Sequence, residues 1–404
     1  MARRVLLHVG TPKTGTTYLQ DVCFRNRPLL EEHGILYPAD RFDAHFLAAL
    51  DLMRLPWGGL EEQAVGAWDR LAAEVRAFDG TAIVSHEILA RATPAQTRRA
   101  LASLGHGDGS TEVHLVLSVR DLVRQIPAEW QENIKHRTTT SYADFLAELQ
   151  EQSRSGIIAS WFWAVQELPD IVDRWRHDLP ADRVHLVTVP PPGSPRDLLW
   201  ERFVTTFGLA GLDLDLGTDR ANVSLGVPET YLLRQVNLRA NDQIEPADYR
   251  ELIREVLAHR TLSARTGSPR LALPPTAFPW ISELTDRWVE ELSSQGYDVV
   301  GSLAELSGER PAAFSDPDAP DLDQVVDAAA ASIVALVHDV GRWRANEARL
   351  HAEIADLHGQ LARARMNPVY RLKERLYRLL TRGRTGQRVL DAYYRARGSS
   401  SRLA

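Results

Sequence analysis

Only three of the 47 basic residues in this chain are lysines, and one of them, Lys13, stands inside a Gly-Thr-Pro-Lys-Thr-Gly loop over residues 10–15. Where arginine is the default cation, a lysine is a choice. Backbone N–H groups in such a loop, and in a helix that follows it, grip an anion, and the ammonium adds a compact point charge. Three further places carry groups able to act beside it. Arg120 follows an apolar run, with Arg124 and Gln125 shortly after. His86 and Glu87 follow another such run, and His45 lies between the loop and that run. A neutral histidine suits general-base work near pH 7, and a partly buried glutamate can also take a proton.

These residues need a scaffold that gathers them. VLLHV (5–9), TAIVS (81–85), VHLVLSV (113–119) and RVHLVTV (183–189) read as buried strands, with helical patterns such as 60–78 and 141–152 between them. That alternation predicts an α/β fold of three layers, a central, mainly parallel sheet covered by helices on both faces. Ligands collect at the carboxyl ends of such strands. The ends to inspect begin at Gly10, Ser85, Arg120 and Pro190.

The 404 residues have room for a catalytic domain and more. The single cysteine, Cys23, excludes an internal disulfide framework and suits a reducing cytoplasm. The apolar run at the N-terminus is too short for a signal peptide, and no segment reads as a membrane span. The expected division is an α/β domain over 1–307, a Pro/Asp/Ala-rich linker over 308–324, an amphipathic helix over 325–364 and a basic amphipathic tail over 365–404. In the helix, Ile333, Leu336, Val340 and Trp343, then Leu350, Ile354, Leu357 and Leu361 keep steps of three and four, interrupted at Glu347. That pattern suits a coiled coil and a homodimer. The tail carries a local charge of +9 within a chain of net −7 and can lie on an anionic membrane surface, making a cytoplasmic protein peripheral to the membrane. With the positive charge confined there, nucleic acid is not an expected partner.

The loop has the glycine spacing of a triphosphate-binding P-loop, but Thr16 and Thr17 follow the second glycine where that loop carries Lys and Ser/Thr. Residues 12–17, Pro-Lys-Thr-Gly-Thr-Thr, instead resemble the 5′-phosphosulfate loop of sulfotransferases that use 3′-phosphoadenosine 5′-phosphosulfate (PAPS). The resemblance covers about residues 1–305. It implies a P-loop-like fold, PAPS as sulfonate donor and no required metal. Pro12 belongs to the motif; Lys13 would bond the bridging oxygen between phosphate and sulfonate, and Thr14, Gly15, Thr16 and Thr17 would hold the 5′-phosphate.

In that family an Arg leaving a strand and a Ser eight residues later bind the 3′-phosphate. Arg120 matches; position 128 is Ala, so Arg124 or Gln125 would have to compensate. The Ser-x-Glu of residues 85–87 also matches, making His86 and Glu87 candidates for the base beside His45. A weaker likeness, Asn-x-Ser-Leu at 222–225, implies that Asn222 or Ser224 approaches the nucleotide. The expected activity is sulfonate transfer to a hydroxyl, less so an amine, of a carbohydrate, glycolipid or small metabolite. The alternatives are a P-loop kinase or NTPase, and a catalytically degenerate nucleotide-binding scaffold acting through its coiled coil and tail.

Overall fold

A computed structural model describes residues 3–217, 224–366, 368–381, 383 and 386–391. Its centre is a six-stranded, all-parallel sheet in the order β2-β3-β1-β4-β5-β6. The strands are β1 (Arg3–His8), β2 (Ile35–Leu36), β3 (Thr81–Ser85), β4 (Thr111–Val119), β5 (Val184–Thr188) and β6 (Asp298–Val300). Four of them are the apolar runs read from the sequence. The two edge strands are only two and three residues long, too short to show a period.

The strands read as unbroken apolar runs because both faces are covered. Val5 and Leu7 point into one core with Leu115, Leu117 and Leu186, roofed by Trp68, Trp130 and Trp175. Leu6, Ile83, Val116 and Val187 point the other way, into a smaller core closed by Leu19, Phe203 and Phe207. That alternation makes the three-layer P-loop-like architecture, with α1 (Thr16–Arg25) following directly on the loop after β1. The expected single helix over 60–78 is two, Leu60–Ala64 and Ala67–Ala77, broken where Gly66 takes a left-handed φ of 72°.

The linker stretch is irregular up to residue 321, the helix starting three residues earlier than expected, and it is docked. The Asp318 carboxylate accepts from the N–H groups of Tyr142 and Ala143 at 3.0 and 2.9 Å, capping helix Tyr142–Gln150. The chain divides into two compact units, Met1–Ser332 and Ile333–Ala404. The helix Leu322–Met366 is continuous, and within Leu322–Arg363 an 18-residue window has mean hydropathy 1.3. By length and composition that helix is long and apolar enough to cross a membrane, correcting the expectation that no segment qualifies. A second helix, Pro368–Thr381, follows; much of the remaining basic tail lies outside the described residues.

Candidate functional site

The loop is built against β4. Strand β4 runs three residues beyond the end of β1, and the overhang is used: the Val9 N–H donates to Val116 O at 3.0 Å and the Thr11 N–H to Ser118 O at 2.6 Å. Beneath the loop, the buried His8 ring bridges the strands on either side. Its Nδ1 lies 2.8 Å from Ser85 Oγ and its Nε2 2.9 Å from Ser118 Oγ. Ser118 Oγ also meets the Thr14 hydroxyl at 2.5 Å, and that hydroxyl donates to Thr11 O. The Thr14 hydroxyl is therefore turned inward, and what it offers an anion from the loop's outer face is its backbone N–H.

Gly15 precedes α1 at φ 88° and no side chain caps the helix; its first turn holds no acidic residue. The first N–H groups of a helix have no intrahelical partner and carry partial positive charge, so this terminus suits an anion. Thr16 is buried and its hydroxyl bonds Glu87, while Thr17 is half-buried in the same turn. Glu87 opens the short helical turn Glu87–Arg91 after β3 and packs against Gly10, whose backbone φ is 105°. A Cβ at Gly10 would lie 2.7 Å from Glu87 Cα, so only glycine lets the loop pass this close.

Electrostatics sort the candidate bases. Burial alone would raise the Glu87 carboxyl, but His86, the backbone, Gln20 and Thr16 together hold it below its ordinary value. The Gln20 amide donates to it at 3.0 Å. Glu87 is thus held as a charged carboxylate. His86, lowered by burial, accepts from the Ile88 N–H and stacks on Phe46 with ring centroids 5.0 Å apart. His45 is placed differently. Its Nδ1 accepts the Ser85 N–H at 3.1 Å, so its Nε2 carries the proton and donates to Pro38 O at 3.0 Å. With both nitrogens engaged by backbone, His45 holds the end of β3 in place.

Arg120 leaves β4 and reaches back to the loop. Its Nη1 donates to Lys13 O at 3.1 Å and its Nη2 to Arg124 O at 3.0 Å. Burial first, then Arg124, lowers its pKa to about 10, and among the described residues its buried Nε has no partner. Arg124 does not reach the loop. It bonds Asp121 and donates to Pro190 O at 2.8 Å, closing the gap between the ends of β4 and β5. Gln125 bonds Pro12 O at 2.6 Å.

The strand ends read from the sequence therefore converge: Lys13, Glu87 and Arg120 ring one loop, with Arg124 beside them. Ser224 is exposed. The next residue, Leu225, is tied through its N–H and C=O to Gln131 on the helix Leu122–Lys135. Asn222 lies outside the described residues.

Sequence reasoning missed the partner of Lys13. Its Nζ lies 2.7 Å from Glu132 Oε2, and Lys135, His136 and Arg254 lie 3.7, 3.2 and 3.7 Å from the same carboxylate. Burial would raise the Glu132 pKa, yet His136, Lys13 and Lys135 hold it well below the usual carboxylate range. The spacing of Glu132, Lys135 and His136 at i, i+3 and i+4 is a signal of this cluster; the link to Lys13 is tertiary. Glu129, one turn before, is pushed up to about 7 by burial, with Lys13 opposing, and accepts from Gln125 at 3.3 Å and Gln166 at 3.2 Å.

The buried histidines make an acid-stability prediction. Burial lowers His8 and His45 to about 4. Their unfolded values lie near 6.5, so their stabilising contribution is complete above that pH and is lost as pH falls toward 4. At pH 5 each should have cost about 2 kcal/mol. Urea midpoints should fall steeply between pH 7 and pH 5, and less steeply in His45→Asn. A flat profile for the native chain would contradict the buried, neutral assignment.

No family model matches the chain, and no curated protein matches it. A solved structure described as a sulfotransferase from Alicyclobacillus acidocaldarius aligns with 62% of this chain and 100% of its own, at 18% identity and a TM-score of 0.35.

Proposed function

We propose that this chain is a sulfotransferase that moves a sulfonate group from PAPS to a hydroxyl of a carbohydrate, glycolipid or small metabolite. The observation that carries the reading is the placement of Lys13. It sits within the loop, before the second glycine, at a strand end where Arg120 grips its carbonyl and an uncapped, acid-free helix terminus opens. The donor set fits a doubly anionic nucleotide. Backbone N–H groups of residues 13–17 would cradle the 5′-phosphate, and Arg120, with a buried unpaired N–H, would meet the 3′-phosphate.

When bound, PAPS supplies an electrophilic sulfur whose bond to the bridging phosphate oxygen breaks as the acceptor oxygen bonds to it. Lys13 is the cation for the leaving oxygen. If it turns from Glu132 to the donor, Lys135, His136 and Arg254 remain beside that carboxylate. Glu87 takes the acceptor proton, held in its charged form by Gln20 and Thr16.

Incubation with sulfur-labelled PAPS and panels of glycans, glycolipids and small alcohols tests the reading: label should move to a hydroxyl acceptor. Glu87→Gln is expected to lower kcat by about 10²- to 10⁴-fold while leaving affinity for 3′-phosphoadenosine 5′-phosphate nearly intact. Unchanged turnover in Glu87→Gln would remove Glu87 as the base, and absence of transfer to every acceptor class would count against the activity.

A further inference from the structure

The helix Leu322–Met366 carries an exposed apolar stripe. Ile333, Val340, Ile354 and Leu361 are each more than 40% exposed, as are Trp343, Leu350 and Leu357. Along the helix the stripe keeps a strict seven-residue register. One seam position is filled by Ile333, Val340, Glu347, Ile354 and Leu361, the other by Leu336, Trp343, Leu350 and Leu357. With the first named position a and the second d, β-branched residues lead at a and leucine at d, the combination that favours two strands over three or four.

The flanks settle orientation. Position e holds Val337, Arg344, His351 and His358, with no acid; position g holds Asp339, Asn346, Glu353 and Gln360, with no base. Parallel strands lay g of one helix against e of the next, so Glu353 faces His358. Antiparallel strands would lay e on e and g on g, setting Arg344 among histidines and leaving Glu353 without a basic partner. Asp339 is buried and bonds Arg342 of its own helix, so Glu353 and Arg344 carry this asymmetry. A membrane is the rival cover for the apolar window near the start of the helix. The stripe, however, continues past that window between Arg349, Glu353, Asp356 and Arg363, where only a narrow seam is apolar.

We infer that this face pairs with the same face of a second copy of the chain, as a parallel, in-register two-stranded coiled coil over residues 333–361. Both chains then leave the coil at the same end, and their basic C-terminal segments double the charge presented there. Glu347 meets its own copy across the seam and limits the strength of pairing.

Light scattering of the full chain, without detergent, should give twice the chain mass. Leu350→Asp with Leu357→Asp should raise the dissociation constant by at least ~100-fold while the α/β unit keeps its thermal transition, and Glu347→Leu should lower it by more than ~10-fold. Because the native Cys23 is buried, introduced cysteines report orientation cleanly. Leu336→Cys and Leu357→Cys should each form an interchain disulfide with itself under mild oxidation. A monomer at every concentration, a trimer or tetramer, association that needs lipid or detergent, or disulfides only when the two cysteine variants are mixed would each overturn the inference.

Discussion

Lys13→Ala is expected to lower kcat for sulfonate transfer by about 10²- to 10³-fold, the usual cost of removing one positioned charge at a leaving oxygen. Affinity for the desulfonated nucleotide should fall less, by roughly tenfold, because the backbone donors of the loop and Arg120 remain. The substitution should not unfold the protein. Glu132, the present partner of Lys13, keeps Lys135, His136 and Arg254, so no bare carboxylate is stranded, and the stability loss should stay below the roughly 3–5 kcal/mol of a buried pair left without any partner. Lys13→Arg separates charge from shape. It keeps the charge but replaces a compact ammonium by a planar fork on a residue already held at φ 62°. Binding should largely return and turnover should not. If Lys13→Arg restored kcat fully, any cation at the position would serve, and a specific role for the compact ammonium would be wrong.

Gly10→Ala should be strongly destabilising and should damage the site itself. Its Cβ would lie 2.7 Å from Glu87 Cα, 2.9 Å from Glu87 Cβ and 3.0 Å from the Glu87 carbonyl oxygen, and backbone on both sides leaves little room to give. Added to a φ of 105° that L-residues avoid, the expected loss is about 3 kcal/mol of stability. Folded molecules that survive would have Glu87 displaced from Thr16 and Gln20, so turnover should drop as well. Gly107→Ala is the control: its φ is 85° but nothing lies within 4 Å of the added carbon. It should cost only about 1 kcal/mol and leave activity alone. Equal urea midpoints for the two variants would show that the close approach of loop and Glu87 contributes nothing.

Much of this arrangement was legible in the residues. Four apolar runs bounded by turn signals marked the inner strands, and the crossover topology required their ends to share one edge; Lys13, Glu87 and Arg120 do meet there. What stayed hidden depends on contacts between distant segments. Nothing near Lys13 in sequence points to Glu132. The Thr14 hydroxyl would pass for an anion ligand until Ser118 is seen behind it. Arg124 and Gln125 were the candidates to compensate for the missing Ser at position 128, and in the structure one bonds the Pro190 carbonyl and the other that of Pro12. His8, a polar residue closing an apolar strand, is buried because each ring nitrogen has a serine partner. The edge strands were beyond reach, since two or three residues carry no period.

The central claim is that the loop holding Lys13 grips an adenosine 3′,5′-bisphosphate without help from a metal ion. Calorimetric titration of the full chain with 3′-phosphoadenosine 5′-phosphate, with and without magnesium and against ATP, tests it most directly. Binding should be unchanged by magnesium, weakened in Lys13→Ala and Arg120→Ala, and absent for ATP. Preference for ATP with magnesium, or no binding of either nucleotide to the folded protein, would contradict it.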